Sequence, residues 1–312
     1  MMRFGRTIAT LGILLGLAAP ARILAAQEHG PAPSNQIDIT HHIGNSHEIE
    51  IPLVGVIELP HVAPVHIGGL AIDFSPTKHL VFMLLSATLV TLIFVLSARS
   101  IAHAQAAGRP AKGFAGAMEA TALYIRQEVI LPNVGHHGEG YVPYLLTLFF
   151  FILGMNLLGL LPGGATATGN ISVTAALAVM AFLVIEVTGM RTLGTKGYLK
   201  TIFYLPPGLP GGIGGNLLKV LLLVVMTPIE LIGKLAKPFA LAVRLFANMT
   251  SGHVLVLALI GLTFLFRSYT VGVAASLLAT GVMLLELFVA FLQAFVFTLL
   301  TAVFIGLMRA EH

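Results

Sequence analysis

Two stretches of this chain leave little choice of fold. Residues 141–185 contain no charged side chain, and residues 268–308, 41 in all, contain one, Glu286. A helix of about 20 apolar residues crosses a bilayer core of about 30 Å. The first stretch is therefore long enough for two crossings, and Pro162-Gly163-Gly164 through Asn170 divide it. The second would measure about 60 Å as one helix at 1.5 Å per residue, twice a perpendicular crossing. It and the helix before it are expected to be steeply tilted or bent. Two further runs qualify. Residues 80–98 are uncharged, and residues 238–266 are interrupted only by Arg244 and His253 and open on Pro238, which suits the first turn of a helix. The fold class is all-α, a polytopic membrane protein with about five transmembrane helices. Composition agrees: 10% of residues are charged and 57% hydrophobic, against about 25% charged in soluble domains.

Residues 1–26 read as a signal-peptide-like segment, with Arg3 and Arg6 ahead of an apolar run and small residues at Ala21, Ala25 and Ala26. Residues 27–78 form a polar, extracytoplasmic tail, and residues 79–312 the membrane domain. The tail carries His29, His41, His42, His47, His61 and His66. No pair falls at helical i, i+4 spacing with a completing carboxylate, so a solvated, pH-responsive tail is expected and no metal site. With no cysteine, disulfides and thiolate chemistry are excluded. The net charge of +4 is scattered over loops, which argues against nucleic acid as a partner.

Residues 217–229 are apolar but flanked or interrupted by Lys219, Pro228 and Glu230. If they do not cross, eleven Lys and Arg fall on one side, including Arg99, Arg126, Lys196 and Arg309, and only Lys78 and Arg267 on the other. Positive charge accumulates on the cytoplasmic side. Five spans are therefore expected, N-terminus extracytoplasmic and C-terminus cytoplasmic, with residues 200–237 a re-entrant or interfacial helical hairpin.

A charge at mid-span costs about 2.5–3.5 kcal/mol on insertion scales, so the ionisable residues that remain at depth are functional candidates. Arg244 is one to two turns from Pro238 and could snorkel. Its neighbours argue otherwise: Asn248 is one turn on along the same face, followed by Ser251, Gly252 and His253, and Glu286 and Gln293 stand two turns apart on one face of the last helix. An antiparallel hairpin turning at residues 267–270 would put Arg244 level with Gln293, and His253 level with Glu286. Nine residues separate Arg244 from His253, about 180° around the helix. A titratable pair in an aqueous inlet and a fixed positive charge facing elsewhere are what a proton path requires.

The run Lys237-Pro-Phe-Ala-Leu-Ala-Val-Arg244-Leu-Phe-Ala-Asn248-Met-Thr-Ser-Gly-His253 resembles the signature of subunit a of F-type ATP synthases, the stator half of the proton channel in the F0 sector. Met155-Asn-Leu-Leu-Gly-Leu-Leu-Pro162, Asn170-Ile-Ser-Val-Thr174, Glu230 eight residues before Pro238, and Gln293-Ala-Phe-Val-Phe are similar to that family too. The resemblance implies that Arg244 faces the carboxylate of a rotating c-subunit ring, with Asn248 and Gln293 as its polar neighbours. It implies that His253 and Glu286 line the inlet, an acid and a base in exchanged positions relative to some members, and that Glu230 lies near the cytoplasmic half-channel. The implied partners are the c ring, the b-subunit stator stalk, membrane lipid and, indirectly, the F1 sector. No cofactor is implied, and the subunit is not an enzyme on its own. The implied location is a bacterial inner membrane. Around residues 110–119 the spacing departs from the family pattern, and no role is carried over.

Two other classes fit less well. A secondary transporter with an arginine-lined anion site should show inverted repeats, and none is found. An intramembrane hydrolase needs an HExxH motif or a nucleophile elbow, and His253 has neither.

Overall fold

The computed structural model describes residues 46, 48–51, 55–60, 65–67, 70–72, 75–135, 138–161, 164–203 and 213–310. The signal-like segment and the tail histidines 29, 41, 42, 47 and 61 lie outside them. The tail contributes two antiparallel hairpins, β1 (Glu48–Ile51) with β2 (Gly55–Glu58) and β3 (Val65–Ile67) with β4 (Leu70–Ile72). Strands there are an addition to the expectation of a simple polar tail. His66 lies on β3, paired in register with Ala71.

From Lys78 onward the chain is helical. α1 (Lys78–Ala106) is followed by α2 (Gly113–Tyr124), a π turn (Ile125–Ile130) and short α3 (Leu131–Val134). Pro132, near the start of α3, has no N–H to give back to the preceding turn, and the wider π turn is laid down just before it. Then come α4 (Val142–Gly159), a 3-10 turn (Ala167–Gly169), α5 (Ile171–Ile202), α6 (Ile213–Phe266) and α7 (Tyr269–Ala310). Five segments are long and apolar enough to cross a membrane: Lys78–Ala106, Gly138–Gly159, Ile171–Ile202, Asn216–Phe266 and Tyr269–Arg309.

The expected spans are all present, with shifted ends. α5 does not stop near residue 185 but continues to Ile202 through a kink at Gly194, whose φ of 68° is left-handed and open to glycine alone at this ψ. α6 does not begin at Pro238. It runs unbroken from Ile213 through Pro228 and Pro238, 54 residues or about 80 Å at 1.5 Å per residue. The arms of the expected 200–237 hairpin are thus fused to the two long helices, as the end of α5 and the first half of α6. Residues 204–212 between them lie outside the described residues.

α4 is the centre of the bundle and the most buried of the five long apolar segments, α6 the least. Leu145, Phe149, Ile152 and Met155 of α4 pack against Leu177, Ala178 and Ala181 of α5 and Ile125 and Ile130 of the π turn. α7 reaches them with a stripe of small residues, Ala290, Ala294, Thr298 and Ala302, every one fully buried. Lipid gives apolar helices no reason to associate, so close backbone approach along small residues supplies the contact.

α6 and α7 form an antiparallel hairpin turning at Arg267–Ser268, within the expected 267–270, with Arg267 at φ 45°. Phe264, Leu265, Phe266, Leu277 and Leu278 near the turn are exposed. That end of the hairpin continues some 20 Å beyond His253 at 1.5 Å per residue. An apolar overhang of that length stays in hydrocarbon only if the pair is strongly tilted.

Candidate functional site

The inward face of α6 is Leu241, Ala242, Leu245 and Met249, all buried. A polar stripe of exposed residues, Arg244, Asn248 and Ser251, runs roughly 110° round the helix from that face. On α7 the exposed residues at this level are Leu284, Leu285, Leu287, Phe288, Phe291 and Leu292. The stripe therefore stands beside an exposed surface whose large α7 side chains are all apolar. No helix end lies within reach of the Arg244 side chain, because α6 extends 31 residues before it and 22 after.

The hairpin register follows from Gly252, which packs directly on the carboxylate of Glu286. Eight residues back from Gly252 is Arg244, and seven on from Glu286 is Gln293, so these two share a depth as the sequence suggested. They do not share a direction. Gln293 is turned into the bundle and is 5% exposed, and neither Gln293 nor Asn248 makes a hydrogen bond to the guanidinium among the described residues. The two residues that the resemblance makes polar neighbours of Arg244 thus do not fix its guanidinium within this chain. Packing explains it, because Gln293 lies on the buried side of α7 beside Ala294 and Ala290.

The second pair differs as well. Glu286 is 5% exposed and lies one residue from His253 across the interface, yet the two form no ion pair. His253 turns its Nε2 to the hydroxyl of Thr166, in the loop between α4 and α5. Glu286 Oε1 is buried with no hydrogen-bond partner, and so is Thr250 Oγ1, three residues before His253. Buried polar atoms of native proteins are ordinarily paired with protein or water. Polar groups from three other elements surround this spot. Asn156 Nδ2 of α4 donates to the carbonyl of Ala290, one turn from Glu286, at 3.2 Å, and Thr168 Oγ1 donates to Asn156 Oδ1 at 2.7 Å. Asn170 caps α5 by accepting from the Ser172 amide at 2.9 Å.

Glu230 is half-buried on α6. It lies 14 residues before Arg244, about 21 Å along the axis and within about 40° of its face. Nearby is a charged group that the sequence reading overlooked. Lys234, 4% exposed, reaches away from Glu230 to α5, where its Nζ lies 3.8 Å from Glu186 Oε2, donates to Thr201 Oγ1 at 3.1 Å and sits 4.4 Å from the centre of the Tyr198 ring. The Gly194 kink carries Tyr198 and Thr201 round to it. Glu186, Lys234, Lys237 and Pro238 line a small recess of about 10 Å³, room for about one water. The signal was available, since Glu186 is the only acid on α5. Thr166 was the other omission, and a loop threonine carries no pattern that would mark it.

A family model described as ATP synthase A chain matches residues 80–306. The chain belongs to that family. It is 44% identical to ATP synthase subunit a 2 of Chlorobaculum tepidum over 274 residues, covering 88% of this chain and 73% of the relative. It is 41% identical to ATP synthase subunit a of Chloroherpeton thalassium over 277 residues, covering 89% and 78%. It is 42% identical to ATP synthase subunit a 2 of Prosthecochloris aestuarii over 299 residues, covering 95% and 86%. Membership makes it a multi-pass component of a multisubunit membrane complex of ATP synthesis and proton transport.

Proposed function

We propose that this chain is the stationary half of the proton channel of an F-type ATP synthase, presenting Arg244 to the carboxylates of a rotating c ring. The observation that carries the reading is the exposed stripe Arg244, Asn248 and Ser251 on α6, beside the exposed apolar side chains of α7. A fixed charge at that depth is costly in lipid, and a passing carboxylate relieves the cost. Protonated, a ring carboxylate is neutral and tolerates lipid. Brought beside Arg244 it is favoured in its ionised form and gives up its proton. Arginine stays charged throughout, so it also bars a proton from passing directly between the two half-paths.

The inlet is assigned to the polar group around Glu286 and His253, supported by the unpaired buried oxygens of Glu286 and Thr250. The outlet is assigned to Glu230, on nearly the same face of α6 as Arg244. The two groups lie on opposite sides of Arg244 along the helix, as half-paths from opposite membrane faces would. Each charge moved across 100 mV releases about 2.3 kcal/mol, the energy that turns the ring. The stator stalk and the c ring are the partners this role requires, in a bacterial inner membrane. Residues 1–26 are a targeting segment and residues 27–78 an extracytoplasmic tail.

The test is cross-linking. Asn248→Cys should form a disulfide with a cysteine placed beside the ring carboxylate, whereas Leu245→Cys on the inward face should not. Cross-linking at Leu245 and none at Asn248 would turn the ring interface to the wrong side of α6 and overturn the proposal.

A further inference from the structure

Two ionisable residues at the head of α1, Lys78 and His79, are 7% and 4% exposed. Long polar side chains at the end of a span ordinarily reach outward to water. His79 instead places Nδ1 3.1 Å from the carbonyl oxygen of Thr166. A carbonyl oxygen only accepts, so Nδ1 carries the hydrogen and donates it. The hydroxyl of the same Thr166 meets His253 Nε2, and its side chain rests on Gly159 so closely that a Cβ there would overlap it. Thr166 is thus held on three sides, by His79, by the end of α4 and by His253. The two imidazoles bind different atoms of it. A hydroxyl can accept one proton and give another, but a peptide carbonyl cannot, so no proton passes between Thr166 and His79 through this bond.

We propose that His79 is a positioning residue of the inlet: by holding the Thr166 carbonyl it aims the Thr166 hydroxyl at His253. The inference rests on the assignment of His253 and Glu286 to the inlet. The same carbonyl accepts from the Gly169 amide at 2.9 Å, which fixes it within its own turn. His79 is the donor that ties that turn to α1, so an apolar residue at 79 would let the turn shift and carry the hydroxyl with it. Histidine suits the place because an apolar ring fills the space while one edge supplies the N–H.

The test compares three variants in vesicles carrying the complete complex, reading passive proton flux per assembled complex. His79→Leu removes the donor and should lower flux about five- to tenfold, the scale of one hydrogen bond. In His79→Asn the amide nitrogen falls near the position of Nδ1, and more than half the flux should remain. His79→Gln carries the same amide one carbon farther out and should behave as His79→Leu. If His79→Leu fails to assemble, the Asn and Gln variants decide between them. In a Thr166→Val background, which has already lost the hydroxyl, His79→Leu should add no further loss. Equal flux in the Asn and Gln variants, or a full additional loss in the Thr166→Val background, would overturn the positioning role while leaving the inlet intact. Unchanged flux in His253→Ala would overturn the inlet assignment itself, and this inference with it.

Discussion

Gly252 of α6 lies against the carboxylate of Glu286 on α7, with no room between them for a β-carbon. This one contact sets the register of the long hairpin. It also buries the acid at the level of His253 without pairing the two, because the imidazole turns aside to Thr166. An acid that is close to a base but not neutralised by it can take up and release a proton, whereas a tight ion pair would hold its own.

The first prediction concerns that contact. Gly252→Ala forces the Glu286 carboxylate to move, and proton flux should fall about tenfold or more, the effect of about 1.4 kcal/mol on a barrier. Shortening the acid makes room again, so Gly252→Ala with Glu286→Asp should conduct better than Gly252→Ala alone. Passive flux in vesicles measures both. A double variant no better than the single would mean that the clash is relieved by movement of the helices and not of the carboxylate.

The second concerns the buried pair Lys234 and Glu186. Removing one partner of a buried ion pair costs about 3–5 kcal/mol, while replacing both with apolar groups of similar size is often neutral. Lys234→Met should therefore lower the thermal stability of the purified complex strongly, and Lys234→Met with Glu186→Leu should recover most of it. Gly194→Ala should resemble Lys234→Met, because it strains a left-handed residue and straightens the kink that brings Tyr198 and Thr201 to the ammonium. If the double variant is less stable than Lys234→Met, the pair is not the unit the geometry describes.

Charge-free runs made the spans legible, because nothing but lipid accommodates 41 residues with a single charge. The hairpin depth was legible too, since Arg267 closes one run and opens the next. The length of α6 was not. Pro228 and Pro238 read as boundaries by rules learned in water, but no water waits in a bilayer to take up the hydrogen bonds of an opened turn, so the helix runs through them. Side-chain direction was the other gap. Equal depth for Arg244 and Gln293 follows from counting, whereas the inward turn of Gln293 depends on the Ala290 and Ala294 stripe packing on α4. The Thr166 contact joins residues 87 apart in the chain, and no local pattern foretells it.

Orientation gives the third prediction. Glu58 on β2 and Ala107 just beyond α1 are both exposed and flank the first span. The chain has no cysteine, so single substitutions are clean probes. An impermeant thiol reagent should label Glu58→Cys from the extracytoplasmic side and Ala107→Cys from the cytoplasmic side. Labelling of both from one face would remove α1 as a crossing and reverse the charge argument for the other spans.

The last prediction is Arg244, on which the functional reading turns. Arg244 is exposed and donates no hydrogen bond to Asn248 or Gln293 among the described residues, which leaves its guanidinium open to the ring carboxylate proposed above. What the ring carboxylate needs is a charge that never leaves and a planar fork that meets two oxygens. Arg244→Lys keeps a charge but loses the fork, and an ammonium can shed its proton when desolvated. ATP-driven proton pumping should be lost in Arg244→Lys as well as in Arg244→Ala. The Ala variant should in addition leak, since no fixed charge then separates the path through Glu286 from the path through Glu230. Gln293→Leu should be milder than either, because Gln293 is buried and does not hold the arginine. A pH-sensitive dye in vesicles under an imposed potential separates pumping from leak. Pumping near the wild-type rate in Arg244→Ala would make the exposed arginine a bystander, and the channel would have to be sought on another face of the hairpin.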